Sequence, residues 1–245
     1  LDFHGRAPLA SRPDMWADIV LGEAEDGFGF LLKGAVNEIG YQSIMTPNTL
    51  RALDAALGRF GTRSLAELIG PAIAYCEEGF QVRPHVSAFW SDVPAGGRVP
   101  HAEFVTRFPA TRKIYAGADG APRRVGDLLR NPDMGRTYRR IAKHGADDFY
   151  TGAIAREIAE DMARNGGLLA AADLAGVAPL DAEPLWGTYR GHRVSTNQPP
   201  GGGVMIIEML NILEGFDLGA LGAARRRRGH LPERVRPAEL ADPRH

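Results

Sequence analysis

The hydrophobic pattern of the chain changes from that of a strand to that of a helix between residues 188 and 216. Residues 188–197 are rich in β-forming side chains around an Arg190-Gly191 pair, which predicts a strand with a turn or bulge. After a run of glycines, residues 204–216 place apolar side chains at helical spacing. A strand that passes into a helix in this way predicts a mixed fold of the α/β (α+β) class.

Three glycines, residues 201–203, separate this strand from this helix. Glycines at such a junction let backbone N–H groups approach a ligand, and the start of the following helix favours an anion. The alternative is a tight turn that needs positive φ, and this commoner use of a glycine run is the favoured interpretation. The sequence has no G-x-x-x-x-G-K-[ST] pattern. The Gly27 and Gly29 pair does not complete a dinucleotide pattern, because Leu32 stands where its third glycine belongs.

Start and stop signals predict two helices in the first third of the chain. The first covers residues 46–60, with Thr46 as its cap and Gly61 as its end. The second opens with a capping box at residues 64–67, and Pro71 predicts a kink or break within it.

Two more helices are predicted further along the chain. One starts at Asn131 and ends at Gly145, and the other covers residues 152–165. Residues 173–177 are predicted to form a short connecting turn. Between residues 83 and 126 proline and glycine are frequent and no hydrophobic period is sustained, so no element is predicted with a defined boundary there.

Composition limits the classes of function. The 245 residues carry a formal net charge of −1, which argues against a nucleic-acid or anionic-membrane partner. No apolar run approaches the ~20 residues that span a bilayer. The single cysteine, Cys76, excludes a disulfide within this sequence, and its apolar helix face favours a core role over a nucleophile. The seven histidines are scattered without zinc-binding spacing, so neither a metal nor another cofactor is expected.

The last residues, 223–245, differ from the rest of the sequence. They hold seven arginines against three acidic residues and show almost no apolar period. Arginine greatly outnumbers lysine throughout, as in GC-rich genes, whose out-of-frame reading yields arginine, proline, alanine and glycine. The hypothesis is a poorly folding frameshift or truncation product. The alternative is a basic interaction arm.

Several stretches, taken in order, resemble the γ-glutamyltranspeptidase family of N-terminal-nucleophile (Ntn) hydrolases. The N-terminal LDFHGRAP resembles the family's D-F-R-E-x-A-P segment. Further likeness lies in four stretches: GRFGTRSLAELIGPAIAYCEEGFQV, GDLLRNPDMGRTYRRIAKHGADDFY, GGLLAAADLAGV and WGTYRGHRVSTNQPPGGGVMIIEMLNILEGFDL. The likeness covers residues 1–222, which are expected to form one partial large-subunit domain.

The resemblance implies an Ntn-hydrolase αββα sandwich, of which this chain is the large-subunit portion. Family precursors cut themselves into a large and a small subunit, and the new N-terminal threonine of the small subunit attacks a γ-glutamyl amide, as in glutathione, or another acyl amide. None of the threonines here stands in the family's T-x-H-type setting, so no catalytic residue is expected in this chain. The expected partners are an amide substrate and the small subunit of the same precursor. The N-terminus lacks a signal-peptide pattern, and the compartment of this bacterial-type protein is left open between periplasm and cytoplasm.

Two departures from the family pattern concern binding residues. The family arginine that pairs with the donor's α-carboxylate falls on His4, and the following glutamate falls on Gly5, while Arg6 is a nearby substitute. Imidazole cannot copy a bidentate guanidinium contact, so a different acyl donor is expected. The alternative is that His4 and Arg6 only anchor the N-terminal strand. In the family's P-P-S-S-G-G loop, the paired serines fall on Pro200 and Gly201 here and only Gly202 and Gly203 stay aligned, so the turn is kept without the serine hydroxyls.

Two functions remain open on the sequence alone. The first is one portion of an acyl-transferring or amide-hydrolysing enzyme, inactive without its threonine segment. The second is a non-catalytic remnant or binding module of the same fold.

Overall fold

The computed structural model describes residues 1–94 and 96–219. The chain divides into two compact units, Leu1–Asp181 and Ala182–His245. Within the described residues, no helix has both the length and the apolar character needed to cross a bilayer. The proposed frameshift segment, residues 223–245, lies outside the described part.

The first unit begins with a short antiparallel hairpin. Strand β1 (Val20–Glu23) pairs with β2 (Phe30–Leu32), and Val20 lies opposite Leu32. Gly27 and Gly29 both have positive φ in the connecting turn, which is a backbone conformation that glycine adopts without strain. These two glycines therefore allow the tight turn of a β-hairpin.

Three helices follow: α1 (Thr49–Phe60), α2 (Leu65–Leu68) and α3 (Gly70–Glu78). The capping box of Ser64 and Glu67 is present, and the break at Pro71 separates α2 from α3, as predicted. The predicted start of α1 is wrong by two residues, because the residue before the helix is Asn48. Thr46 is not its cap but lies buried, and its backbone pairs with that of Arg6.

Residues 83–126, where no element was predicted, contain three helices: α4 (Pro84–Ser91), α5 (His101–Thr106) and α6 (Pro109–Tyr115). Proline occupies the first turn of α4 and of α6. The missing N–H of proline costs nothing in the first turn, so these prolines begin helices there.

The remainder of the first unit is largely helical. Strand β3 (Phe80–Gln81) pairs with β4 (Leu128–Leu129), and four helices follow: α7 (Pro132–His144), α8 (Asp147–Tyr150), α9 (Ala153–Arg164) and α10 (Ala171–Ala175). The predicted α7 and α9 are confirmed. The prediction of a connecting turn at residues 173–177 is wrong, because Asp173 lies inside α10.

The tightest apolar cluster of the first unit lies around α9 and α10. It contains Ala155, Met162, Leu169 and Leu174, and the partly buried Tyr41, Phe149 and Ile158 pack against it. Burying such side chains contributes about 1.5–3 kcal/mol for each large one. The cluster fixes α10 and, with it, Asp173.

The second unit is a hairpin covered by one helix. Strands β5 (Leu185–Tyr189) and β6 (His192–Thr196) are antiparallel, and Arg190 and Gly191 form the predicted turn with positive φ at both residues. Helix α11 (Gly203–Glu214) packs on β5, with Ile207 against Gly187. Leu210 and Leu213 are half-buried, as the predicted face requires, but Ile206 of that face is exposed. About half of each of five α11 side chains is exposed: Val204, Met205, Ile206, Met209 and Ile212.

Candidate functional site

The N-terminal segment that carries His4 and Arg6 is tied to the first unit on both sides. Asp2 exchanges two backbone hydrogen bonds with Leu180, of 2.7 and 2.8 Å. On the other side, the Thr46 N–H donates to the Arg6 carbonyl over 2.9 Å, and the Asn48 side-chain amide donates to the His4 carbonyl over 2.6 Å. The backbone of residues 2–6 is therefore fixed between two distant parts of the chain.

The side chain of His4 is exposed and bonded to Asp2. One carboxylate oxygen of Asp2 accepts from the His4 backbone N–H over 3.0 Å and lies 2.8 Å from the His4 ring Nδ1. These two bonds, the backbone one first, lower the pKa of the Asp2 carboxyl. The second ring nitrogen, Nε2, has no partner among the described residues.

The side chain of Arg6 is exposed, and its guanidinium has no hydrogen bond or ion pair within residues 1–94 and 96–219. It borders a small cavity of about 100 Å³, which also touches Leu9, Thr46, Asn48 and Asp173. The guanidinium has five N–H donors, so it can bind an oxygen atom of a ligand. His4 and Arg6 thus lie on one segment that backbone contacts hold in place.

Gly5 lies between them in a confined position. A Cβ atom there would approach the Thr46 carbonyl oxygen and the Met45 side chain at 3.2 Å. Glycine at position 5 therefore fits the close approach of two backbone segments.

Buried Asp173 supports the floor of the small cavity. Its two carboxylate oxygens accept from the Leu9 N–H over 2.6 Å and from the Ala170 N–H over 2.7 Å. Sequence reasoning missed Asp173, Asn48 and Asp2 as supports of this segment. Asp2 has a local signal, because an aspartate readily accepts from the N–H two residues later, and so has Asp173, which accepts from the N–H three residues earlier at the start of α10.

The glycine loop belongs to the second unit. None of residues 201–203 has positive φ, so the expected reason for the glycines is wrong. The actual requirement is space: a Cβ on Gly203 would collide with the Asn197 carbonyl oxygen and lie 2.6 Å from the Thr196 hydroxyl. Gly202 has φ −74° and ψ 12°, a conformation outside the left-handed region that favours glycine. Anion binding by this loop stays a prediction.

Other chemistry is limited in the part of the chain that the structure describes. No group of three or more His, Cys, Asp and Glu side chains there is arranged to hold a metal ion. The Cys76 thiol is half-buried, and burial followed by the Glu77 charge raises its pKa, which disfavours the nucleophilic thiolate. A larger apolar cavity of about 580 Å³ lies between α1, α2 and α7, lined mainly by Leu, Ile, Met and aromatic side chains.

Comparison with known proteins identifies the family. The family model described as Gamma-glutamyltranspeptidase matches residues 1–235. The chain belongs to this family of hydrolases and transferases.

Two curated relatives illustrate its range. The chain is 37% identical over 187 residues to the Acylase ACY 1 proenzyme of Pseudomonas sp. (strain SE83), a match covering 76% of this chain and 32% of the relative. It is 31% identical over 223 residues to the Glutathione hydrolase proenzyme of Escherichia coli (strain K12), covering 91% of this chain and 36% of the relative. The chain thus spans about a third of the length of these relatives.

Solved structures confirm the predicted mixed Ntn-hydrolase fold class. The γ-glutamyltranspeptidase of Helicobacter pylori matches with a TM-score of 0.75 and 28% identity, over 92% of this chain and 60% of that one. The cephalosporin acylase of Bacillus halodurans matches with a TM-score of 0.67 and 27% identity, over 88% of this chain and 38% of that one.

Proposed function

We propose that this chain is one portion of an enzyme that transfers or hydrolyses γ-glutamyl or related acyl amides. The nucleophile of this enzyme is the N-terminal threonine of a small subunit from the same precursor, and the 245 residues alone are inactive. Two facts support the proposal: the matched relatives are named as proenzymes, and they are about three times as long as the matched part.

The acyl donor differs from that of a glutathione-processing enzyme. The observation that carries this proposal is the state of His4, whose ring is bonded to Asp2 through Nδ1 and offers a single nitrogen to a ligand. One nitrogen cannot hold a carboxylate in the bidentate way that a guanidinium does. The 37% identity to a protein named as an acylase agrees with a changed donor.

Arg6 takes part in binding the acyl donor, but it does not replace the bidentate arginine contact that the family pattern has at position 4. Its guanidinium is unpaired in the described part of the chain and sits on an exposed, flexible side chain beside His4 in sequence. Such a contact contributes about 1 kcal/mol or less. Whatever γ-glutamyl turnover the enzyme has therefore depends on Arg6 more than on His4.

The test uses the processed enzyme expressed from the complete gene. Two substrates, γ-glutamyl-p-nitroanilide and 4-aminobutyryl-p-nitroanilide, differ only in the α-carboxylate. We expect their kcat/KM values to differ by less than about tenfold, because a single exposed contact recognises the carboxylate. Arg6→Ala should raise KM for the γ-glutamyl substrate, whereas the exposed control Arg12→Ala should not.

Two results would defeat the proposal. Robust γ-glutamyl turnover that is lost in His4→Ala would mean that His4 serves the α-carboxylate. Amide hydrolysis at enzymatic rates by the purified 245-residue chain would mean that the nucleophile is present in it. The second candidate, a binding module of the same fold, predicts a monodisperse 245-residue chain that unfolds cooperatively, whereas unpaired strand edges in a lone enzyme portion promote aggregation.

A further inference from the structure

The protonation pattern of the His4 ring is determined by the group that faces it. The oxygen 2.8 Å from Nδ1 belongs to an aspartate that already accepts the His4 backbone N–H. An ionised carboxylate only accepts hydrogen bonds, so the ring nitrogen that faces it must carry a proton. In a neutral imidazole the other nitrogen, Nε2, then carries a lone pair.

Both members of this pair are held by backbone contacts that do not involve their side chains. Leu180 fixes the Asp2 backbone from one side, and Asn48 fixes the His4 carbonyl from the other. The His4 side chain is 44% exposed and that of Asp2 is 26% exposed. The ring is therefore accessible, while its Nδ1 edge is occupied.

We propose that Asp2 is a positioning residue that fixes His4 as the Nδ1–H tautomer and presents the Nε2 lone pair to the bound acyl donor. This inference rests on the proposed function, which places His4 at the donor site. A lone pair accepts from N–H and O–H groups and repels an unprotonated carboxylate. The site therefore selects acyl groups that carry an ammonium, amide N–H or hydroxyl at this point.

The first test reads the tautomer directly in the processed enzyme expressed from the complete gene. Two-bond ¹⁵N–¹H correlation spectra of histidine-labelled protein at about pH 9, where histidine rings are neutral, distinguish the two forms. His4, assigned by His4→Gln, should appear mainly as the Nδ1–H form. The side chains of His85 and His192 have no hydrogen bond among the described residues and serve as internal references.

Two substitutions at position 2 complete this test. In Asp2→Ala the acceptor is gone and His4 should change to mainly the Nε2–H form. Asp2→Asn keeps an acceptor oxygen without the charge and should give a mixture. The backbone bonds to Leu180 are available to both variants, and Asp14→Ala, an exposed aspartate outside the site, is the control. A mainly Nε2–H form in the unsubstituted chain, or no change in Asp2→Ala, overturns the inference.

The second test uses the processed enzyme with 4-aminobutyryl- and butyryl-p-nitroanilide, which differ by the ammonium. We expect a lower KM for the ammonium substrate, and we expect Asp2→Ala to abolish that KM difference while changing kcat little. If Asp2→Ala changes the tautomer as expected but leaves the KM difference between the two substrates unchanged, donor selection by His4 is overturned. The role of Asp2 in fixing the tautomer is then still supported. If the enzyme cleaves no amide at all, the proposed function fails, and the spectra still decide the role of Asp2.

Discussion

The buried hydroxyl of Tyr150 accepts a hydrogen bond from the backbone N–H of Arg51 over 2.9 Å, and the Arg51 guanidinium lies 4.4 Å from the centre of the same ring. Arg51 is the third residue of α1, so its N–H has no acceptor inside the helix. Asn48, the residue before α1, provides no side-chain cap. A tyrosine from α8 thus completes the start of α1.

Tyr150→Phe should destabilise the protein by about 1–2 kcal/mol, because the Arg51 N–H then remains buried without a partner. The measurement is the free energy of unfolding, combined with hydrogen exchange at the Arg51 amide, which should lose protection. Tyr75→Phe is the matched control, since the Tyr75 hydroxyl has no hydrogen bond in the part that the structure describes and the side chain is exposed. Equal stabilities for the two variants would contradict this role of Tyr150.

The capping box of α2 should make stability depend on pH through Glu67. The Ser64 backbone N–H, followed by the Ser64 hydroxyl, lowers the pKa of the Glu67 carboxyl. A lowered folded-state pKa contributes stability above the unfolded-state pKa, and this contribution is lost as the pH falls through the folded-state value. Glu67→Gln should therefore be less stable than the parent at pH 7, and the difference should shrink as the pH falls below about 4.3, the ordinary pKa of a glutamate.

Parallel urea titrations at several pH values measure this difference. Glu208→Gln removes a carboxylate of α11 that has no hydrogen bond or ion pair among the described residues, and it should show no such dependence. A Glu67→Gln difference that stays constant from pH 7 to about pH 3 would show that the charge of the carboxylate plays no part.

Gly79 ends α3 with a φ of 91°, and an added Cβ would lie 2.8 Å from the Leu129 carbonyl oxygen. Gly79→Ala should therefore lower the free energy of unfolding by about 1–3 kcal/mol. Gly58→Ala is the opposite case, because Gly58 lies within α1 with open space around it, and alanine should stabilise the helix by about 0.5–1 kcal/mol. Thermal unfolding of both variants tests whether the first substitution lowers stability and the second raises it. A Gly79→Ala variant as stable as the parent would contradict the required backbone conformation.

The glycine loop should tolerate substitution at one position and resist it at the next. Gly203→Ala places a methyl group against the Asn197 carbonyl and should destabilise the second unit by about 1–3 kcal/mol. At Gly202 the nearest atom to a new Cβ is the Met205 methyl at 3.5 Å, and Gly202→Ala should cost about 1 kcal/mol or less. Circular dichroism during thermal unfolding measures both. Equal losses would show that the close approach at Gly203 is not the reason for its glycine.

Local chemistry made much of the fold predictable. Helix α7 is an example: the Asn131 side chain accepts from the Met134 N–H, and Gly145 ends the helix with positive φ. Both signals lie within a few residues of the boundary they set. Residues 83–126 were not assigned because proline both interrupts and begins helices, and here Pro84 and Pro109 begin α4 and α6.

The candidate site was only partly predictable, because its supports are distant in sequence. His4 and Arg6 were found through a family pattern, but nothing near them in sequence indicates Asn48 or Leu180 as partners. Residues 173–177 are another example: the sequence predicts a short connecting turn there, whereas packing of Leu174 in the core favours helix α10. Long-range contacts of this kind depend on the complete fold and leave no periodic pattern in the sequence near either residue.

The bond between the Leu9 N–H and the Asp173 carboxylate joins residues 164 positions apart, and Asp2 pairs with Leu180 at a similar separation. Synthesis on the ribosome adds about 5–20 residues each second, so residues 2–9 are made roughly ten seconds or longer before their partners. Helices α1 to α9 can form before that moment, whereas the segment carrying His4 and Arg6 is among the last parts to acquire its native position.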